Sequence, residues 1–193
     1  YSVLAIIAAI ATLWWLRLPA EGREQSTAEG SHGIPEPLLV ILSSALLFLI
    51  IAGEAGFAGW IYSYVLRKGL MPPTEAGYLN STFWAALTFG RFVGIELVRR
   101  WGARKLVSIS LLGCVLSMAV FVALGCTSGG IWAVALLLGL SQSSIVPTVF
   151  TLAGNARILT GSVGGIFVAS SAAGGMALPW IVGQLFESWG PES

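Results

Sequence analysis

Glu54 is the only Asp, Glu, Lys, Arg or His between Pro37 and Leu66, a stretch otherwise apolar or weakly polar. An acid held in such a run can do three kinds of chemistry. It accepts hydrogen bonds from a polar solute in a wet cavity, exchanges a proton, or ties its helix to a donor on a neighbour. Insertion scales put a central acidic residue at about +2.5 to +3.5 kcal/mol, so every one of these roles turns the side chain away from lipid. Glycines recur at every third position beside it, Gly53, Gly56 and Gly59. They drift slowly round one helical side, and either admit close packing or weaken the helix enough to bend. Trp60 follows with an indole plane suited to stacking on a sugar-type ring and an N–H at its tip. Tyr62 and Tyr64 continue toward the end of the run, where an aromatic belt is the ordinary reading.

A second set of polar side chains lies further on. Asn80, Trp84 and Thr88 recur at helical spacing and form one stripe of amide, indole and hydroxyl. Such a stripe fits a neutral polyol, and it equally fits hydrogen bonding between helices. Gln142, with Ser141, Ser143 and Ser144, makes a polar centre in an apolar run that continues through Pro147 to Asn155. Gln142 is the site candidate among them. Ser170, Ser171, Gly174 and Gly175 give a later run a small-residue face suited to packing. Arg91 lies inside an apolar segment about 10 Å of helical rise before Arg99. It can snorkel, pair with Glu96, or bond the ends of neighbouring helices, and a gate-type structural role is favoured over solute contact.

The elements that position these groups follow from composition. Hydrophobic residues make up 56% of the chain and charged residues 10%, with a mean hydropathy of +0.85. Soluble domains carry about a quarter charged residues. So few charges cannot cover a water-soluble surface, and the solvent of this chain is lipid. A net charge of +1 leaves no basic field for nucleic acid. Aspartate is absent and His32 is the only histidine, which removes a Ser-His-Asp set, an HExxH metal site and an aspartyl dyad. An enzyme, a metal centre and a bound cofactor are therefore not expected. Cys114 and Cys126 are separated by about 18 Å of helical rise, too far for a disulfide.

A bilayer core needs about 20 apolar residues per helix. The runs that qualify are residues 1–16 (partial), Pro37–Leu66, Ala76–Val98, Lys105–Cys126, Ile131–Gly154 and Gly161–Phe186, with a polar linker over residues 17–36. Six spans place Arg17, Arg23, Arg99, Arg100, Arg104, Lys105 and Arg157 on one side and only Arg67 and Lys68 on the other. Basic loops face the cytoplasm, which assigns the first set to that side. The chain starts with Tyr1 inside an apolar run and reads as a fragment of a longer membrane protein.

The link GRFVGIELVRRWGARK, Gly90 to Lys105, resembles the cytoplasmic loop between the second and third helices of each half in the major facilitator superfamily. Arg100-Trp101-Gly102 and Arg104-Lys105 carry the likeness. Arg99 stands where that family usually has an acid and Ile95 where it has the first glycine; Glu96 is the acid at hand to replace the missing one. EAGFAGWIYSY, GYLNSTFWAALTFGR and IVPTVFTLAGN are similar to the fucose permease-like branch, with its sodium-dependent glucose transporters. The resemblance implies an all-α membrane protein of about six transmembrane helices, a partial fold comprising helices 6 to 11 of the family's twelve. Residues 1–16 become part of helix 6, residues 17–36 the linker between halves, and residues 37–193 helices 7 to 11.

It also implies a multi-pass protein, expected in the plasma membrane. Such a protein moves a small polar solute, a sugar in this branch, by alternating access with proton or sodium coupling. Its partners are the bilayer, the solute, the coupling ion and the N-terminal half of the same protein. Glu54, Trp60, Asn80, Trp84, Thr88 and Gln142 are then the candidate solute-binding residues. Arg91, Glu96, Arg100, Gly102 and Arg104 form the gating and cytoplasmic-loop set. Two other readings remain: an exporter of amphipathic or cationic compounds, and a non-transporting, receptor-like member of the same fold.

Overall fold

A computed structural model of the chain describes residues 36–189, and the expected first span, the linker up to residue 35 with His32, and the residues from 190 lie outside the described residues. The described residues form helices only: α1 (Glu36–Arg67), α2 (Pro73–Trp101), α3 (Ala103–Leu124), α4 (Ser128–Ser143), α5 (Ile145–Asn155) and α6 (Gly161–Trp189).

The turns follow from local chemistry. Gly69 takes φ 63°, and Leu70 N–H and Gly69 N–H bond back to the Val65 and Leu66 carbonyls, closing α1 with a Schellman turn. Pro72 and Pro73 then open α2, where a missing N–H costs nothing. Between α2 and α3 the chain turns on Gly102 alone, at φ 80° and ψ 155°, a conformation that side chains with a Cβ rarely adopt. Thr127 caps α4 by accepting from Gly130 N–H at 3.1 Å.

The expected span from Ile131 to Gly154 is divided between α4 and α5, with the break at Ser144. Pro147 supplies the reason. It has no N–H to donate to the Ser143 carbonyl, and its ring crowds that carbonyl. The Thr148 N–H restarts the ladder one residue later by donating to the Ser144 carbonyl at 3.1 Å, and the Thr148 hydroxyl donates to the same carbonyl. The other expected spans within the described residues are each one unbroken helix, including α1 across its glycine ladder.

Packing pairs α1 with α6 along most of their lengths, α2 with α4, and α3 with both α4 and α5. Two apolar clusters result. One joins Phe57, Ile61 and Val65 of α1 to Leu79, Phe83 and Leu87 of α2 and to Ile131, Val134 and Leu138 of α4. The other joins Leu46, Leu47 and Ile50 of α1 to Val107 and Leu111 of α3, Ile145 and Val149 of α5, and Phe167 of α6. On α1 and on the α4–α5 pair, a gap separates the residues of the two clusters, at 51–56 and 139–144, while α2 contributes to the first cluster alone. Glu54 on α1 and Ser141, Gln142, Ser143 and Ser144 on the α4–α5 pair fall into that gap, whereas Trp60, Asn80 and Trp84 lie among first-cluster residues.

Helix α1, α3, the α4–α5 pair and α6 are long and apolar enough to cross a membrane. Helix α2 has the length, 29 residues or about 43 Å, but not the apolarity, because Asn80, Arg91, Glu96, Arg99 and Arg100 ride on it. It buries one stripe instead: Ala76, Leu79, Phe83, Ala86, Leu87, Gly90 and Gly94.

Candidate functional site

The gap between the two clusters is a polar layer built round the α4–α5 break. Each residue of Ser141-Gln142-Ser143-Ser144 lies against a glycine of a neighbouring helix. A Cβ on Gly113 of α3 would strike the Ser141 hydroxyl, and one on Gly53 of α1 would lie 3.5 Å from Gln142 Nε2. Cβ atoms on Gly90 and Gly94 of α2 would strike the hydroxyls of Ser143 and Ser144. Glycine is what lets three helices close on a broken, polar turn. Ser143 Oγ donates to the Leu140 carbonyl of its own helix at 2.6 Å and lies 3.4 Å from Ser144 Oγ.

This arrangement sets the level of the two intramembrane charges. Glu54 directly follows Gly53, and Arg91 directly follows Gly90, so both charges flank the same turn of α4 from opposite helices. The charge that acts on the Glu54 carboxylate is the Arg91 guanidinium. Among the described residues the ion pairs within 4 Å are those of Glu96, so Glu54 and Arg91 share a level without forming a contact pair. Glu54 is half-buried and Arg91 exposed. Gln142, seated against Gly53, is only 5% exposed, and its Oε1 has no hydrogen-bond partner. A buried acceptor without a donor costs free energy, about 1 to 3 kcal/mol, which a donor from a bound molecule recovers.

The other expected solute-binding residues divide between this layer and its surroundings. On α2, Asn80, Trp84 and Thr88 do form a stripe, and Arg91 extends it by one turn. Trp84 is 44% exposed and meets the Phe83 ring edge-on at 5.5 Å. The Thr88 hydroxyl donates to the Trp84 carbonyl at 2.8 Å, so it enters the stripe with an acceptor lone pair rather than a free donor. Asn80 Oδ1 is a second buried acceptor without a partner. Trp60 is not brought to Glu54. It lies about 120° further round α1, beside Gly183 of α6. The glycine ladder splits for the same reason: Gly53 faces Gln142, Gly56 faces Leu178 of α6, and Gly59 has open space beside it.

At the other end of α2, Glu96 accepts from Arg100 Nε at 2.6 Å and lies 3.6 Å from Arg99. Its carboxylate is thereby engaged inside its own helix, not with Arg91 and not with a neighbouring helix. Both pairs are exposed, and such pairs contribute about 0 to 1 kcal/mol. The turn itself is held by Gly102 N–H to the Val98 carbonyl at 3.0 Å and by Lys105 Nζ, 5.8 Å from the Trp101 ring centre. Arg104 stands half-buried in the first turn of α3. The loop set is a helix junction about two turns from the polar layer, measured from Arg91 to Arg99.

Sequence reasoning missed the link between Glu54 and Arg91 and the glycine seats of the break. The signals were present as Gly-Glu, as Gly-Arg and as the Gly90–Gly94 spacing, but each sits on a different face-to-face contact.

Comparison with known proteins gives a consistent picture. The description of the Major Facilitator Superfamily matches residues 1–179. The major facilitator superfamily domain-containing protein 4A of Homo sapiens is 27% identical over 165 residues, covering 84% of this chain and 32% of that protein. Its Danio rerio counterpart is 28% identical over 151 residues, covering 78% of this chain and 29% of that protein. A protein named sodium-dependent glucose transporter 1 of Danio rerio is 31% identical over 135 residues, covering 70% of this chain and 23% of that protein. This chain spans between 23% and 39% of the length of curated relatives such as these. No solved structure matches it.

Proposed function

Because this chain belongs to the major facilitator superfamily and is a multi-pass integral membrane protein with a partial, all-α fold of that family, we propose that it is part of a secondary transporter for a small, neutral, polar solute, with a hexose as the first candidate. In this reading α1, α2 and α3 are the family's helices 7, 8 and 9, α4 with α5 is helix 10, and α6 is helix 11. Residues 1–16 belong to helix 6 and residues 17–36 to the linker between halves. The N-terminal half of the same protein completes the cavity, sodium or a proton drives uptake, and the plasma membrane is the site of action.

The polar layer is the observation that carries the proposal. It lies between two apolar clusters, where substrate sites of this class of fold are built from broken helices. It offers a carboxylate, a guanidinium and a buried, unpartnered amide oxygen from three separate helices. Sugar hydroxyls donate and accept at once, so they can satisfy Gln142 Oε1 and Glu54 while accepting from Arg91. Trp84, exposed on the same stripe, supplies a stacking face. Two relatives named sodium-dependent glucose transporters support the solute class and the ion.

The test is uptake of labelled glucose by the full-length protein in proteoliposomes, with and without an imposed sodium or proton gradient. Wild-type protein accumulates glucose under one of the gradients. Glu54→Gln lowers uptake at least about tenfold, the equivalent of one lost charge-assisted hydrogen bond of about 1.4 kcal/mol. Unchanged uptake and ion dependence in that variant removes Glu54 from the site. Competition by lipophilic cations with none by sugars hands the case to an exporter.

A further inference from the structure

We propose that Arg91 is a specificity-determining residue: its guanidinium balances Glu54 across the α4 break and restricts the polar layer to solutes without net charge. The inference rests on the transport reading above and names the solute class within it. Three observations carry it. Gly53 and Gly90 seat against the same turn of α4, which puts Glu54 and Arg91 at one level on opposite helices. The rings of Phe57 and Phe83, 4.9 Å apart, fix α1 to α2 just beyond that level. The acid nearest to Arg91 along α2, Glu96, is already held by Arg99 and Arg100. Arg91 is therefore the counter-charge to Glu54 rather than a partner of the loop.

A wet gap holding one carboxylate and one guanidinium is neutral as a whole. A cationic solute gains from Glu54 but is repelled by Arg91, and an anionic solute meets the reverse. A polyol pays neither penalty and finds both donors and acceptors, including Gln142 Oε1. Removing one charge leaves the other uncompensated in the gap, where its pull on an opposite charge is no longer balanced. Each single neutralisation then turns the layer toward one sign of solute, and the double neutralisation returns it to neutral solutes.

The experiment compares wild type, Arg91→Gln, Glu54→Gln and the double variant in the full-length protein. Labelled-glucose uptake is competed with glucosamine in its protonated form and with glucuronate. Arg91→Gln shifts the glucosamine-to-glucose preference at least about tenfold toward glucosamine, and Glu54→Gln shifts the glucuronate-to-glucose preference likewise. The double variant returns to within about threefold of the wild-type preferences. A merely structural Arg91 leaves these ratios at wild-type values in Arg91→Gln, and that result overturns the inference. Arg91→Lys, which keeps the charge, retains the wild-type preference.

A thermal-unfolding cycle on the purified protein reads the pairing without any solute. Each single variant lowers the apparent Tm by about 4 °C, and the double variant by about the same amount rather than by the sum. Additive shifts also overturn the inference. If wild type recognises no sugar, the transport reading falls, and this cycle alone decides whether Arg91 balances Glu54.

Discussion

Gly174→Val lowers the stability of the full-length protein by about 3 kcal/mol, at the upper end of the cost of overpacking a close helix contact. The reason is geometric. A Cβ at Gly174 would strike the Phe48 carbonyl oxygen, with the Phe48 carbonyl carbon at 2.9 Å and its Cα at 3.0 Å. All three are backbone atoms of α1, so no rotamer change relieves the clash, and α1 and α6 must separate along their whole contact. This is the most extensive helix pair in the described structure. In lipid, where tails are as apolar as side chains, that lost packing is not offset by a hydrophobic drive to re-close. Thermal unfolding in detergent measures the effect. Gly165→Ala serves as the control, since nothing lies within 4 Å of a Cβ there. A midpoint for Gly174→Val equal to that of the control would show that α1 and α6 do not depend on this approach.

The second large effect is expected at the break. Gly90→Ala places a Cβ 2.7 Å from Ser143 Cβ and 3.3 Å from the Leu140 carbonyl oxygen, besides striking the Ser143 hydroxyl. Ser143 Oγ alone could rotate away, but Ser143 Cβ cannot move without α4. The substitution costs about 1 to 3 kcal/mol and moves α2 outward at the residue before Arg91. If the proposed glucose transport holds, uptake by the full-length protein falls with stability, because Arg91 leaves the level of Glu54. Ser143→Gly removes the obstructing atoms and is expected to restore most of both in the double variant. If the double variant is no better than Gly90→Ala alone, the fit between these two residues is not what holds the layer together. The comparison isolates packing, since neither substitution changes a charge.

Much of this architecture was legible in the residues themselves. Long apolar runs, punctuated by basic turns and by Gly-Pro signals, marked the spans from Pro37 onward to within a few residues of α1, α2, α3 and α6. The Trp-Gly link was legible because a sharp turn between helices needs a residue that tolerates φ 80°. An acid in an apolar helix announced the level of the polar layer, since lipid tolerates it only where something polar lies opposite. Pro147 also announced the break, although the sequence reading placed a single span there.

What only the tertiary structure decided is which sides meet. Helices α1 and α4 are apolar nearly all round, so periodicity does not say which side turns to which neighbour. Rotation about the axis is fixed by close approach at small residues, and glycines occur on every side of α1. Hence Gly53, Gly56 and Gly59, similar in sequence, end up against Gln142, against Leu178 and beside open space. For the same reason Trp60, only six positions from Glu54, turns to α6, while Arg91, on another helix, comes to the level of the carboxylate. Sequence determined that a charge and a polar stretch round Gln142 lie inside the membrane, because solvation free energy depends on residue type. Only packing could determine that they meet, because that depends on which backbones can touch.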